Sequence, residues 1–481
     1  MAAQGVTLGN YVGGEWRSAR SGETYEKRNP MRPDEVIGEF PACDERDVDG
    51  AVAAAQDAFP AWAAMPAPQR GNLLMKVADV VERRAEQIAT AMTREMGKPL
   101  RESRGEASRA AAILRFYGGE GYRPVGELFQ QTLSGGQIQT LRRPLGVVGL
   151  ITPWNFPAAI PMWKLSPALA YGNTVVLKLA WDAPHTGLML AECFDEAGLP
   201  PGVLNVITGA GSKVGNALVH DPRVRAVSFT GSVPVGQSVR DEATRGGKRV
   251  QLELGGHNPL IVLPDAKLDA AVEAAYAGAF WSAGQKCTAT RRIYVQEPIY
   301  DDFRSRFLDR IGRGRVGDPA DPQTEVGPIV NETQFGEILA AIERGRNEGG
   351  TVIAGGDRGP EGYVVQPTVF EGVRDDAFLS CEEVFGPVTS LYRFADLDDA
   401  LRRANAVEFG LSAAIFTQSL EAVQQFTAGA QAGLLHVNSQ TAGAEVHVPF
   451  GGIKSSGWGP HEQGRAALEF YTEVVTLYQD V

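Results

Sequence analysis

The stretch GVVGLI, residues 146–151, opens the part of the chain that decides the fold. It is a continuous apolar run. Three similar runs follow: NTVVLKL at 173–179, GVLNVI at 202–207 and VRAVSF at 224–229. Segments of helical pattern lie between them, MWKLSPALAYG, TGLMLAECFDEAGL and SKVGNALVHD. Apolar strands separated by single helices are buried on both faces and therefore parallel. The pattern predicts a doubly wound α/β domain, whose ligands sit beyond the carboxyl ends of the strands.

Downstream of VQLELGGHN a second α/β series begins. PLIVL, RRIYVQE, TVIAGG, VTSLYRF, SAAIFTQ and LLHVN read as strands, with DDALRRANAVEF and EAVQQFTAGAQ as helices. Two α/β lobes joined near residue 255 are the simplest organisation, and the crevice between them suits chemistry. Upstream the chain reads as helical. Val48, Val52, Ala55 and Phe59 share one helix face. After Pro68 one stripe of Leu73, Val77, Val81, Ile88 and Met92 runs to a stop at Gly97 and Pro99. The segment GELFQQTLSGGQIQTLRRPLG (126–146) alternates as a hairpin would, and ALEFYTEVVTLYQDV near the end is strand-like. These two pieces either extend a local sheet or pair with another subunit.

Composition narrows the function classes. The 481 residues exceed one ordinary core, and a hydrophobic content of 43% with 22% charged residues is that of a globular protein. A net charge of −12 argues against nucleic acid or an anionic membrane as partner. No basic-then-apolar leader and no long apolar run are present, so the expectation is a cytoplasmic chain. The cysteines at 43, 193, 287 and 381 form no C-x-x-C, and the six histidines form no H-x-x-x-H, so neither a metal nor a disulfide framework is expected.

Five features carry chemistry. Cys287, in FWSAGQKCTATRR (280–292), sits among small and polar residues beside Lys286, Arg291 and Arg292. Cations lower a thiol's pKa, so it reads either as a nucleophile or as a small core residue. Glu253, in LELGGHNP, lies inside an apolar strand pattern. It is either a general base with a raised pKa or a strand-end carboxylate facing solvent, and Gly255 and Gly256 after it imply a close approach. Asn155, in ITPWNFP, follows a strand and could donate to a developing oxyanion, or merely cap a rigid turn. Lys178, in VVLKLA, needs an anion or a route to solvent. Thr230, Gly231 and Ser232, in FTGSVPVG, open a helix and could bind phosphate. No G-x-G-x-x-G follows the first strand. Thiol, carboxylate, amide and phosphate-binding turn all read as falling where strands end, which together implies acyl chemistry beside a dinucleotide.

In order and spacing, PWNFP, FTGS, LELGG, GQKC, EEVFGP and PFGGIKSSG resemble the NAD(P)-dependent aldehyde dehydrogenase superfamily over essentially the whole chain. The resemblance implies a Rossmann-like cofactor domain of residues 1–125 and 145–254 and a catalytic domain of 255–460. A small β oligomerisation element of 126–144 and 461–481 would bridge a homodimer or homotetramer. It implies Cys287 as nucleophile, Asn155 with the Cys287 N–H as oxyanion hole, and Glu253 as the base for the deacylating water. Lys178 would contact the adenosine ribose. Gly215 and Ser232 would line the pyrophosphate channel, and Glu383 and Phe385 would hold the nicotinamide end. Ile151, Thr152, Pro153 and Trp154 would also belong to the NAD or NADP surface. So would Trp181, Phe229, Gly231, Val235, Leu254 and Gly255. The aldehyde pocket would include Phe156, Trp163, Trp281, Lys286 and Thr288.

The ending SQTAGAEVHVPFGGIKSSGWGPHEQG (439–464) resembles the branch that oxidises semialdehydes such as 2-oxoglutarate semialdehyde. Many relatives read K-P-S/A-E where this chain reads KLAW (178–181). Trp181 replaces an acid that would repel a 2′-phosphate, so NADP is expected to be accepted, although Asp182 could take over the acid's role. Rival readings are a CoA-acylating enzyme, which would generally lack Glu253, a thiol esterase, and a catalytically silent binding protein.

Overall fold

The computed structural model describes residues 6–7, 9–133 and 135–480. The two expected α/β lobes are present as two large sheets. In the first, the strands Arg249–Glu253, Val224–Thr230, Val147–Ile151, Thr174–Lys178 and Leu204–Ile207 lie side by side in that order and run parallel. The order reverses between Val147–Ile151 and Val224–Thr230. A ligand crevice opens at such a switch point beyond the carboxyl ends. Register brings these ends level, with Ile151 beside both Lys178 and Phe229, and Thr230 beside Glu253. Val147–Ile151, Thr174–Lys178 and Leu204–Ile207 are buried at every position, as strands covered on both faces must be.

The second sheet has the order Thr351–Ala354, Thr368–Glu371, Val388–Phe394, Thr290–Gln296, Asn258–Val262, Ser412–Phe416, Leu434–Val437. All but the first run parallel. The chain leaves the first sheet at Glu253 and enters the second at Asn258, so the carboxyl end of one meets the amino end of the other. Later, Gly457–Trp458 returns to the first sheet and pairs with Arg249–Glu253.

Three local expectations are corrected. The chain before Asp44 is strand rather than helix. Asn10–Val12 and Glu15–Arg17 extend the edge of the first sheet, and Thr24–Arg28 pairs with Val36–Pro41. Runs this short carry little periodicity to read. The long helix after Pro68 is two helices, Ala67–Arg83 and Ala85–Met96. Arg84 leaves helical geometry (φ −97°, ψ 7°) while its guanidinium pairs with Glu192, and both halves pack on the helix Leu100–Glu120. The helix expected to reach Phe409 ends at Asn405, because Phe409 and Gly410 form a short strand against Ile453–Lys454.

The excursion 126–146 is a hairpin, Leu128–Gln130 against Gln137–Pro144. Thr472–Gln479 pairs antiparallel with Gln137–Pro144 along eight consecutive residue pairs. The two pieces therefore find each other within the chain and form one three-stranded sheet. That sheet exposes Leu128, Phe129, Val474 and Tyr478.

Candidate active site

The thiol sits three residues ahead of the strand Thr290–Gln296, at its amino end. This corrects the expectation that every chemical group lies where a strand finishes. Its approach is an irregular turn in which Ser282 (φ 57°) and Ala283 (φ 52°) take left-handed backbone conformations. Such conformations persist only where neighbours impose them. Glu102 imposes this one, accepting from the Ser282 N–H at 3.1 Å and its hydroxyl at 2.6 Å. Gln285 ties the same turn to another segment, accepting from the Val330 N–H at 3.0 Å. Beyond the turn, Asn258 Nδ2 donates to the carbonyls of Cys287 (2.8 Å) and Ala289 (2.9 Å).

The cations near Cys287 are engaged by backbone carbonyls. Lys286 is buried, and its ammonium donates to the Ala277 carbonyl at 2.9 Å. Arg291 donates to the carbonyls of Gly386 (2.5 Å) and Gly284 (2.6 Å), and Arg292 to those of His257 and Ala404. Their charges hold loops together, so Lys286 is spent inside the fold rather than offered to a substrate. Burial first, then the carboxylates of Glu383 and Glu253, push the Cys287 thiol up to about 12. The residue remains partly open to solvent although protein surrounds its sulfur closely.

Asn155 is brought to the thiol loop. Its Nδ2 donates to the Gln285 carbonyl at 3.1 Å, two residues before Cys287, and its buried Oδ1 has no partner. A buried ion pair invisible to the sequence reading holds it there. The Lys98 ammonium donates to the Asn155 carbonyl at 2.8 Å, pairs with Glu106, and lies 3.8 Å from the centre of the Phe156 ring. Glu106 in turn accepts from the N–H groups of Ala158 (2.8 Å) and Ala159 (3.0 Å) at the start of the helix Ala159–Ala170. Lys98 and Glu106 lay in a stretch read only for helix ends, and nothing local marked them as partners.

Glu253 does not face solvent. It is 5% exposed, and its Oε2 has no hydrogen-bond partner. Burial first and the nearby Glu462 second raise its pKa well above the carboxylate range, against the pull of the Lys164 ammonium. Lys164 and Glu462 form a second buried ion pair, and Lys164 also donates to the Ser228 hydroxyl at 2.7 Å. Glu462 lies within the quoted HEQG, but no periodicity singled it out.

Gly255 and Gly256 link the two sheets in a space with no room for side chains. A Cβ at Gly255 would lie 2.2 Å from Glu383 Oε2, and one at Gly256 would lie 2.4 Å from the Cys287 carbonyl oxygen. The Gly256 N–H donates to Glu383 Oε1 at 3.1 Å. Burial raises Glu383 to about 7, with Arg291 and that N–H opposing. Phe385 meets Trp154 edge-on at 5.6 Å, so the loop after the first central strand touches the second lobe. A cleft of about 240 Å³ beside Glu383 and Phe385 is bounded across by Gln334 and Glu337, which the sequence reading missed.

The other arm of the crevice runs along the first sheet. Burial lowers Lys178 to about 8, with Asp182 opposing. A Cβ at Gly211 would meet only the Lys178 ammonium, at 3.9 Å, and one at Gly215 only the Ile151 side chain, at 3.9 Å, so this turn leaves open space. The helix Val233–Arg245 begins at Ser232 with no side-chain cap, leaving its first amides available to an anion. Gly231 has a different duty: its N–H donates to the Glu253 carbonyl at 3.1 Å, and a Cβ there would strike the Phe229 ring at 2.5 Å. Likewise the Leu254 side chain fills the space above Gly236, while Val235 is half-exposed. Trp181 lies flat on Tyr25, with ring centres 3.6 Å apart. Asp182 is 3.8 Å from the buried Lys27 ammonium.

Of the pocket residues, Trp163 packs 5.1 Å from Phe450, and the Arg101 guanidinium covers Trp281 at 4.7 Å. Both indole N–H groups are buried without partners. Thr288 is buried, and its carbonyl accepts from the Thr441 hydroxyl at 2.7 Å. Asn155, Glu253, Trp163, Trp281 and Thr230 each have a buried polar atom without a partner. Buried polar groups are rarely left so unless a ligand or water completes them.

Comparison with known proteins shows the family. The model of the aldehyde dehydrogenase family matches residues 16–477. The alpha-ketoglutaric semialdehyde dehydrogenase of Bacillus subtilis (strain 168) is 44% identical over 474 residues, covering 98% of this chain and 97% of that protein. A solved NAD-dependent aldehyde dehydrogenase from Sinorhizobium meliloti superposes with a TM-score of 0.97 at 38% identity, covering 99% of this chain and 95% of the other. A solved E. coli NADP-dependent enzyme superposes with a TM-score of 0.96 at 36% identity, covering 98% of each.

The Lys98–Glu106 pair yields a stability prediction. Lys98→Met leaves a buried carboxylate without its counter-charge, which costs on the order of 3–5 kcal/mol. Chemical denaturation of the variant beside the native protein is expected to show a loss of that size. A loss below about 1 kcal/mol, the scale of an exposed pair, would show that the pair is not a structural anchor.

Proposed function

Because the chain belongs to the aldehyde dehydrogenase family and is an oxidoreductase acting on aldehydes, we propose that it oxidises a semialdehyde to the carboxylic acid with NAD or NADP, through a covalent intermediate on Cys287. The observation that carries this reading is the site's composition. A closely surrounded thiol on a partly exposed residue stands in the loop that the Asn155 amide reaches, and a buried carboxylate with an unpartnered oxygen acts on it electrostatically. The semialdehyde choice is supported by the name of the Bacillus subtilis relative.

The residues fit a dinucleotide. The open turn at Gly211–Gly215, the uncapped helix start at Ser232, Lys178 at its strand end and the cleft at Glu383 and Phe385 follow one another along the crevice. When bound, the nicotinamide supplies the hydride acceptor. The protein's own part is the handling of the carbonyl. The Cys287 sulfur, as thiolate, attacks the aldehyde carbon and forms a tetrahedral thiohemiacetal. Asn155 Nδ2 and the Cys287 N–H donate to its oxyanion, one such donor being worth about 2.7–4 kcal/mol of barrier. After oxidation the acyl group remains as a thioester. Glu253 in its ionised form takes a proton from water, which attacks the thioester carbon, releases the acid and frees the sulfur. The presence of this carboxylate favours water over CoA as acyl acceptor. Burial raises its pKa, and the Lys164 charge and a backbone hydrogen bond from Gly452 favour its ionised form.

The cofactor end favours neither dinucleotide by repulsion. Trp181 presents an indole stacked on Tyr25 where many relatives have an acid, and Asp182 is paired with Lys27. The exposed apolar residues of the three-stranded sheet support self-association as a homodimer or homotetramer. No helix among the described residues is long and apolar enough to cross a membrane.

Three measurements test these points. In a stopped-flow record of NAD(P)H formation, Cys287→Ala is expected to show no oxidation. Glu253→Gln is expected to give one burst and then a steady rate lower by roughly 10²–10⁴-fold. An unchanged steady rate in either variant would remove that residue from its role. Initial rates with each cofactor are expected to show turnover with NADP as well as NAD, and a strict NAD requirement would refute the reading of Trp181. Light scattering is expected to give a dimer or tetramer mass for the native chain, reduced when residues 472–481 are deleted. A monomer mass for the native chain would end the proposed association.

A further inference from the structure

The proposed substrate carries a negative charge, and the helix Leu100–Glu120 holds the means to read it. One edge of this helix faces its helical neighbours, where Arg104 pairs with Glu86 and Arg115 with Asp79 and Glu82. The opposite edge faces the crevice. Glu102 on it grips Ser282 in the turn before the thiol, and Glu106 grips the amides of Ala158 and Ala159 just after Asn155 and Phe156. Arg109 stands seven residues after Glu102 and three after Glu106. At 3.6 residues per turn, Arg109 falls on the same face as Glu102, about 20° from it on the side away from Glu106, and about 10.5 Å along the helix.

Arg109 is half-buried, yet among the described residues its guanidinium has no ion-pair or hydrogen-bond partner. Most arginines of this chain are paired with carboxylates or with carbonyls. One turn and two turns before it on the same stripe are Gly105 and Arg101. A Cβ at Gly105 would meet nothing within 4 Å, so the space between the two arginines is open. Arg101 likewise has no hydrogen-bonded carboxylate. Its guanidinium lies 4.7 Å from the Trp281 ring centre, next to Ser282, and its charge helps to lower the pKa of Glu325, which is itself paired with Arg310. Two unneutralised guanidinium groups thus flank an open gap on the helix edge nearest the thiol loop.

We infer that Arg109, with Arg101 across the Gly105 gap, binds the distal carboxylate of an acid semialdehyde and determines specificity for aldehydes that bear one. A guanidinium fork matches a carboxylate geometrically, and a partly desolvated position strengthens the pair. The open Gly105 surface admits the chain that joins carboxylate to aldehyde. The inference rests on the semialdehyde reading above and names the group that would select this class.

The test compares 5-oxopentanoate with pentanal, two aldehydes of equal length differing in the terminal carboxylate. The quantity read is the ratio of their kcat/KM values. The native enzyme is expected to prefer 5-oxopentanoate. Arg109→Met is expected to lower the ratio about tenfold or more, chiefly through KM for 5-oxopentanoate, as loss of a charge-assisted contact does. Arg109→Lys is expected to restore part of the preference. Gly105→Asp, a change into open space, is expected to lower the ratio by setting a like charge in the gap. A ratio unmoved by Arg109→Met and Gly105→Asp would overturn the inference. So would a native enzyme that oxidises both aldehydes without preference, and in that case the aldehyde oxidation itself would still stand. Oxidation of neither by the native enzyme would instead refute the proposed function.

Discussion

The site depends on a passage with no room in it. Between Glu253, which ends a strand of the first sheet, and Asn258, which begins a strand of the second, the chain crosses in four residues, and two of them must be glycine. Gly255 lies against the Glu383 carboxylate and Gly256 against the Cys287 carbonyl, each too close for a Cβ. That contact fixes the distance between the lobes at the point where the chemistry occurs. It sets the carboxyl edge of the first sheet against the amino edge of the second, so the carboxylate at one strand's end and the thiol before another strand's start share a crevice.

Around this passage the fold buries charge, which is costly unless each charge is answered. Lys98 and Glu106 are answered by each other, by the Asn155 carbonyl and by the amides of Ala158 and Ala159. Lys164 and Glu462 are answered by each other and by Ser228. Arg291 and Arg292 are answered by backbone carbonyls on several loops. Other buried polar atoms have no partner, among them Arg291 Nε and Glu462 Oε2 of these same charged groups. Glu253 Oε2, Asn155 Oδ1 and two indole N–H groups are buried without partners. Arg101 and Arg109 stand at the edge without counter-charges. The fold thus combines charges held by partners with polar atoms left without one, and the latter include the candidate catalytic groups.

The same distinction explains the thiol. The surroundings of Cys287 disfavour its thiolate, because burial and the carboxylates of Glu383 and Glu253 act together against it. The neighbouring cations, which would reverse that effect, are held by carbonyls.

Much of this was legible in the chain itself. The unbroken apolar runs from 146 to 229 establish parallel strands because only a strand covered on both faces dispenses with polar alternation. Cys287, Glu253 and Asn155 stand out because their chemistry is out of keeping with their local surroundings, and Gly255–Gly256 announces a close approach by absence of side chains. Other features could not be read, since they depend on residues far apart in sequence meeting in space. The break at Arg84, the strands before Asp44, the cations turned away from Cys287 and the duty of Gly231 are each decided by a partner that local pattern does not name. So are the buried pairs Lys98–Glu106 and Lys164–Glu462, the latter joining residues 298 positions apart. The sequence by itself determined the strand and helix alphabet and the reactive groups, because hydrophobic period and side-chain chemistry are local properties. Only the tertiary structure decided which charges are neutralised and which are left unpaired, because neutralisation requires a neighbour in space.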